Sequence, residues 1–115
     1  TLFFRQACQL GAKIRHSEAA VAYEHLHGGR GSRKWFLGRN YRYGLVGVRV
    51  DRLLGNKGVS IRYLSRGLFA VAFGLVEAIL AAPRADPTRS FGVYRTARGI
   101  GMLMGALGKT ANRYL

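Results

Sequence analysis

The sequence predicts a mainly α-helical chain with one short strand, and three observations support this prediction. Apolar residues recur at helical spacing through most of the chain. The segment 55–58, Gly-Asn-Lys-Gly, and a loop over residues 83–90 with both prolines break this pattern. We therefore expect three regions: residues 1–29 with a helix, a strand and a loop, residues 30–58 with a basic helix, and residues 59–115 with a helical hairpin.

The first region is expected to begin with a helix and to continue with a strand. Five apolar residues between Leu2 and Ile14 approximate helical spacing, and Gly11 supplies a stop, so the helix should end near residue 12. Ala19 to Glu24 is predicted to be a short strand. The His-Leu-His-Gly-Gly run that follows it is predicted to be a loop.

The central helix is expected to run from about Arg33 to Leu54, with Ser32 as its N-cap. One stripe of this helix is basic and carries Trp35, Arg39, Arg42, Val46 and Arg49. Apolar residues flank the stripe on both sides, with Phe36, Tyr43, Val50 and Leu54 on one flank and Leu37, Tyr41, Leu45 and Val48 on the other. We expect the helix to lie between two apolar layers, with its arginines facing an aqueous crevice. Guanidinium groups suit a diphosphate, although a simple solvated basic face would show the same spacing.

The C-terminal region is predicted to be an antiparallel hairpin of helices over residues 67–82 and 91–111. The first segment has sixteen residues with a single charge, Glu77, and would rise about 24 Å, short of a bilayer core of roughly 30 Å. Small residues recur every four positions in both segments, at Ala70, Gly74, Ala78 and Ala82 and at Ala97, Gly101 and Gly105. Such stripes allow close helix contact, and we expect them to face each other, although chance also produces these spacings in a chain rich in glycine and alanine.

Glu77 needs a partner if its segment enters lipid, because an unpaired carboxylate there costs roughly 2.5–3.5 kcal/mol. With Ala82 opposite Phe91, position 77 falls level with about position 96 of the second helix. We therefore expect Glu77 to pair with Arg95 or Arg98. The alternative is a Glu77 that faces water on a hairpin lying at the membrane surface.

The charge of the chain indicates a polyanionic partner. Nineteen Lys and Arg residues stand against five acids, which gives a formal net charge of +14. The candidates are nucleic acid, an anionic membrane surface and a phosphate-bearing substrate. A hydrophobic content of 49% weighs against an RNA-binding arm. Cys8 is the single cysteine, which excludes a disulfide within the chain and fits a reducing compartment.

No catalytic set of residues is complete in the sequence, because the acids are scattered and the cysteine has no matched partner. His25 and His27 alternate around one residue, so a strand would place both on one face. There they could bind a metal or a cation held by a diphosphate. The alternative is a pair of loop histidines in contact with solvent or with the arginines.

Residues 1–50 resemble the C-terminal third of bacterial inverting family 2 glycosyltransferases. The similarity rests on Phe3-Phe4-Arg5, Gly11-Ala12-Lys13-Ile14, Ala19-Ala20-Val21-Ala22-Tyr23-Glu24, Arg30-x-Ser32-x-x-Trp35 and Arg39-x-x-Arg42-x-Gly44. It implies that the chain is a fragment of an α/β enzyme of the GT-A type. The catalytic base, and an Asp-x-Asp motif that binds Mg or Mn and the nucleotide sugar, would then precede Thr1.

The resemblance also implies roles for residues of the basic helix. Its motif would place Arg30, Ser32, Arg33, Trp35, Arg39 and Arg42 over the donor diphosphate and near the acceptor channel. The His25-Leu26-His27 segment departs from the family, in which an acidic residue and prolines are common at this place. Metal binding by His25 and His27 is therefore a separate expectation.

The expected function is that of a membrane-associated glycosyltransferase at the cytoplasmic face of the bacterial inner membrane. It would transfer a sugar from a nucleotide-sugar donor to a lipid-linked or envelope polysaccharide acceptor, beside an anionic membrane surface and without nucleic acid. This chain alone would be inactive, because it holds neither the nucleotide-binding half nor the base. The alternatives are a nucleic-acid-binding module whose basic helix docks RNA, and a small structural membrane protein whose arginines contact lipid head groups.

Overall fold

The protein is a bundle of helices in a computed structural model that describes residues 2–25, 28, 30–81 and 88–109. Within these residues the helices are α1 (Leu2–Gln9), α2 (Arg33–Leu53), α3 (Val59–Leu80) and α4 (Thr88–Ala106). Helix α4 packs along both α2 and α3. Helices α2 and α3 contact each other near the turn that joins them, where Gly47 lies beside the ring of Tyr63.

The ends of α2 follow from its sequence as predicted. The Ser32 hydroxyl accepts a hydrogen bond from the backbone N–H of Trp35 at 3.2 Å, which is the geometry of an N-cap. At the other end the chain turns through Gly55 and Gly58, whose φ angles of 72° and 69° lie in the left-handed region. Residues with a side chain rarely adopt this conformation, so the glycines end α2 and direct the chain into α3.

The predicted antiparallel hairpin is present as α3 and α4, and glycine lets the two backbones touch. A methyl group at Gly74 would lie 2.6 Å from the carbonyl oxygen of Gly92, and one at Gly99 would lie 2.8 Å from that of Gly67. Residue numbers fall from 74 to 67 along α3 as they rise from 92 to 99 along α4, so the two helices are antiparallel. The hairpin is therefore confirmed, and its seam is made of glycine.

The stripe that α4 was expected to turn toward α3 instead faces α2. A methyl group at Gly101 would lie 3.2 Å from the Cα of Gly44, and one at Gly105 would lie 3.0 Å from Val48 of the same helix. The residues that α4 presents to α3 are Gly92, Thr96, Gly99 and Leu103. Because α4 is packed on two sides, it carries two small-residue faces, and the prediction that the two stripes meet is wrong.

The core lies where α2, α3 and α4 converge. It consists of Val48, Val59, Tyr63 and Ala106, with Leu64 and Met102 packed against it. Val48 is 1% exposed. The buried residues of α2 include Leu45 and Val48 from one predicted flank and Val50 from the other.

The expectation that α2 lies between two apolar layers is wrong for the described residues. Helix α4 covers one side of α2 and also reaches Phe36, but Tyr43, on the same predicted flank as Phe36, is 49% exposed. The basic stripe beside it consequently faces outward. A second layer would have to come from residues other than those described.

The strand expected at Ala19–Glu24 is also absent from the described residues, which contain no strand. Residues 19–24 are exposed and lie in irregular structure. A strand is stable only when a neighbouring strand satisfies its backbone N–H and C=O groups, and no described segment provides one here.

The helix ends of the hairpin differ from those predicted. Helix α3 begins at Val59 rather than at residue 67, because Arg62 and Arg66 lie on its exposed side and do not interrupt the buried one. Helix α4 runs from Thr88 to Ala106 rather than from 91 to 111. Residues 110 and 111 of the predicted helix lie outside the described residues.

Candidate functional site

The exposed side of α2 carries an arginine held between two aromatic rings. The Cζ atom of Arg39 lies 4.8 Å from the ring centroid of Trp35 and 5.4 Å from that of Tyr43. Its Nε atom donates a hydrogen bond of 2.8 Å to the Tyr43 hydroxyl. The three residues are spaced by four, so they follow one line along the helix. We call Trp35, Arg39 and Tyr43 the arginine–aromatic ladder.

The ladder is attached to the bundle through its first ring. Trp35 is half-buried and packs edge-to-face on Phe36, with ring centroids 5.0 Å apart. Phe36 in turn contacts Tyr94 of α4 at a centroid distance of 5.8 Å. Each exposed cation–π contact contributes about 0.5–1 kcal/mol, so the Arg39 guanidinium is held in place before any ligand arrives.

Other arginines of α2 extend the positive charge beside the ladder. Arg33, Arg42 and Arg49 are exposed, and Arg42 donates from Nε to the backbone oxygen of Gly38 at 3.3 Å. Within the described part of the chain, no carboxylate forms an ion pair with these arginines or with Arg39. The charge of this face is therefore uncompensated, which favours an anionic ligand.

The remaining predicted site residues do not join the ladder directly. Arg30 lies 3.3 Å from the carboxylate of Glu24, and both side chains are largely exposed. Ser32 uses its hydroxyl to cap α2. The structure thus brings together Trp35 and Arg39 of the predicted set, whereas Arg30 is paired with an acid outside that set.

The structure describes one member of the predicted histidine pair. His25 is exposed and lies in irregular structure rather than at the end of a strand, and His27 lies outside the described residues. In residues 2–25, 28, 30–81 and 88–109 there is no group of three or more His, Cys, Asp or Glu residues that could hold a metal ion. Metal binding by the two histidines therefore stays a prediction.

A buried carboxylate that the sequence analysis did not identify links three helices. Asp51 of α2 is 6% exposed, forms an ion pair with Arg5 of α1 and accepts a hydrogen bond of 2.8 Å from the Tyr63 hydroxyl of α3. Its neighbour Arg52 donates to the backbone oxygen of Ala106 at 2.7 Å, near the end of α4. The available signal was an isolated acid in a strongly basic segment, since Asp51 is the single acid between Glu24 and Glu77.

The predicted ion pair of Glu77 is confirmed, although the register of the hairpin differs. Arg95 donates from Nη1 to Glu77 Oε1 at 3.0 Å, and its guanidinium lies 5.1 Å from the ring centroid of Phe73. A methyl group at Gly92 would lie 3.0 Å from the Cβ of Glu77, so position 77 is level with about 92 rather than 96. The pair still forms because the arginine side chain reaches back about one helical turn.

The outer side of α3 is apolar and open to the surroundings. Between residues 67 and 80 its exposed residues are Leu68, Phe69, Ala72, Phe73, Leu75, Val76, Ile79 and Leu80. Within the described part of the chain, α3 is the helix that is long and apolar enough to cross a membrane. Its 22 residues rise about 33 Å, close to the roughly 30 Å of a bilayer core. We call these eight residues the apolar face of α3.

No protein-family model matches this chain, and neither does any curated protein or solved structure.

Proposed function

We propose that this chain is the C-terminal part of a membrane-associated GT-A glycosyltransferase. The enzyme would transfer a sugar from a nucleotide-sugar donor to a lipid-linked or envelope polysaccharide acceptor, at the cytoplasmic face of the bacterial inner membrane. The observation that carries this proposal is the arginine–aromatic ladder. It stands in the segment that resembles the donor-diphosphate region of family 2 glycosyltransferases.

The chemistry of the ladder supports a role in binding phosphate. The rings of Trp35 and Tyr43 lie against the Arg39 guanidinium and the Tyr43 hydroxyl accepts from its Nε, which leaves its two terminal nitrogens for a pair of phosphate oxygens. Exposed Arg33 and Arg42 add positive charge on the same helix. Arginine suits this task better than lysine, because its planar fork binds two oxygens at once.

The apolar face of α3 supports the membrane part of the proposal. A monomer in water rarely exposes so large a continuous apolar surface, whereas lipid covers it without cost. The helices also approach one another through glycine, as helices do in membranes. A lipid-linked acceptor would meet the enzyme at this surface.

The divalent metal of the proposal, Mg or Mn, would be bound mainly by residues that precede this chain. What this chain would supply is positive charge for the donor diphosphate and attachment to the membrane.

Sugar transfer by the full-length protein tests the proposal. The coding region before Thr1 should carry an acidic pair and an Asp-x-Asp motif. Membranes that contain the expressed full-length protein should transfer a labelled sugar from its nucleotide to a lipid fraction. Arg39→Ala should lower kcat/KM by about 10²-fold or more, since it removes a preorganised partner of the diphosphate. Arg39→Lys should also be impaired.

The matched control is Lys34→Ala, which removes one positive charge from an exposed position of the same helix outside the ladder. It should retain nearly full activity. Equal activity of Arg39→Ala and Lys34→Ala would contradict the role of the ladder, and a coding region with neither acidic motif would contradict the enzyme class.

The apolar face of α3 also favours a second candidate, a small structural membrane protein whose arginines contact anionic lipid. If this second candidate is correct, the full-length protein should bind membranes and show no transferase activity. The third alternative, a nucleic-acid-binding module whose basic helix docks RNA, leaves the apolar face of α3 without a role.

A further inference from the structure

A groove between α3 and α4 lies on the side of the hairpin that bears Arg95. It has a volume of about 590 Å³, which is within the range of small-molecule sites. We call it the hairpin groove, and its lining residues are Ser65, Arg66, Phe69, Ala70, Phe73, Arg95, Arg98 and Met102.

The hairpin groove contains two positive charges that the described part of the chain does not neutralise. Arg95 is paired with Glu77 at 3.0 Å. Arg66 and Arg98 are exposed, and no described carboxylate forms an ion pair with either of them. Two guanidinium groups at one groove form a site for a group with a charge of about −1 to −2, such as a phosphate.

The other wall of the groove is aromatic. Phe69 and Phe73 are 73% and 49% exposed, and their rings are stacked with centroids 6.3 Å apart. Both belong to the apolar face of α3, so the groove opens directly onto the surface that lipid would cover. A ligand here can touch arginine with one end and hydrocarbon-like surface with the other.

We propose that the hairpin groove binds one anionic phospholipid of the membrane. The phosphate is held by Arg66 and Arg98, and an acyl chain lies along Phe69 and Phe73. Inorganic phosphate would use the arginines and leave the phenylalanines exposed, whereas a zwitterionic lipid would bring its own cationic head group next to the groove arginines. This inference does not depend on sugar transfer, and its test contains no enzymatic step.

The test counts the lipids bound to the full chain in micelles of a neutral detergent, by native mass spectrometry. Phosphatidylglycerol, phosphatidylcholine and inorganic phosphate are titrated separately. The expected result is one bound phosphatidylglycerol, with both other ligands binding about tenfold or more weakly. Inorganic phosphate that binds as tightly as the lipid would overturn the proposal.

Paired variants separate a defined site from general attraction to positive charge. Arg66→Gln with Arg98→Gln should weaken phosphatidylglycerol binding about tenfold or more. The control, Lys13→Gln with Lys57→Gln, removes the same charge from exposed positions outside the groove and outside the basic stripe of α2, and should leave binding nearly unchanged. Equal losses in the two double variants would overturn the proposal.

A third variant tests the aromatic wall. Phe69→Ala with Phe73→Ala should weaken lipid binding and leave the weak binding of inorganic phosphate unchanged, because it retains both arginines. The far-ultraviolet circular dichroism of each variant should match that of the parent chain. Lipid binding that is unaffected by loss of both rings would contradict the placement of the acyl chain.

Discussion

At the scale of single residues, the contact between Asp51, Arg5 and Tyr63 joins three helices through one buried carboxylate. Burying a carboxylate is unfavourable unless charge and hydrogen bonds compensate for the lost water. The Arg5 guanidinium and the Tyr63 hydroxyl provide both kinds of compensation to Asp51. This contact thus fixes α1 against the end of the bundle where α2 and α3 meet.

Removing the Tyr63 hydroxyl should destabilise the protein. We expect Tyr63→Phe to lower the free energy of unfolding by about 1.5–3 kcal/mol, because Asp51 loses a hydrogen bond to its charged form. The control is Tyr43→Phe, whose ring is half exposed and which should change stability by less than about 0.5 kcal/mol. Urea unfolding in detergent micelles measures both, and similar losses would contradict a structural role for the buried contact.

Single-residue predictions succeeded where a local motif, or the presence of the hairpin alone, was enough to specify the contact. The Ser32 cap involves a residue three positions away, and Arg95 needed only the presence of a hairpin to approach Glu77. The partners of Asp51 lie 46 and 12 residues away, on helices whose packing the sequence pattern did not specify. Trp35 and Arg39 of the ladder were predicted on one stripe, but Tyr43 was assigned to an apolar flank, and its contact with Arg39 depends on rotamers that spacing does not reveal.

At the scale of the helices, α4 is the element that organises the fold. It contacts α3 through Gly92 and Gly99 and α2 through Gly101 and Gly105. The four-residue repeat of small residues in α4 predicted a close contact with another helix. It did not show that this helix is α2 rather than α3. The second small-residue face, at Gly92 and Gly99, has a spacing of seven and was not recognised in the sequence.

Filling the contact between α2 and α4 should destabilise the bundle. A methyl group at Gly101 would meet the backbone of Tyr41 and lie 3.2 Å from the Cα of Gly44. We expect Gly101→Ala to lower the free energy of unfolding by about 1–3 kcal/mol. Gly38→Ala is the matched control, because no heavy atom lies within 4 Å of its added methyl group, and it should stabilise α2 by about 0.5–1 kcal/mol. A stabilising Gly101→Ala would contradict the packing.

The ion pair between Glu77 and Arg95 should be stronger than one at an open surface. Their side chains are 34% and 45% exposed, and the second oxygen of Glu77 is buried without a hydrogen-bond partner in the described residues. In vesicles, a double-mutant cycle with Glu77→Gln and Arg95→Gln should give a coupling above about 1 kcal/mol, the upper range of exposed pairs.

The exposed pair of Glu24 and Arg30, with side chains 72% and 56% exposed, is the control for this cycle. Its coupling should lie between about 0 and 1 kcal/mol. Equal couplings for the two pairs would mean that Glu77 faces water, which is the alternative left open by the sequence.

At the scale of the whole molecule, the basic side of α2 and the apolar face of α3 are separate surfaces, and Arg66 and Arg98 lie where the hairpin groove borders the apolar face. The exposed arginines of α2 form a basic side, whereas the apolar face lies on α3 and the hairpin groove borders it. The mainly helical class and the hairpin were predictable, because helical periodicity is a property of the sequence itself. The irregular structure of residues 19–24 was not predictable from their pattern, since a strand forms only beside a partner strand, which the described residues do not provide.

The most direct test of the account is the depth of the apolar face of α3 in a bilayer. In a Cys8→Ser background, single cysteines at positions 68, 75 and 79 of α3 and at position 49 of α2 can carry a spin label in vesicles that contain phosphatidylglycerol. We expect oxygen dissolved in the acyl region to enhance the relaxation of the labels at 68, 75 and 79. The label at 49 should instead be relaxed by a water-soluble paramagnetic reagent. Labels on α3 that are as accessible from water as the label at 49 would contradict membrane association.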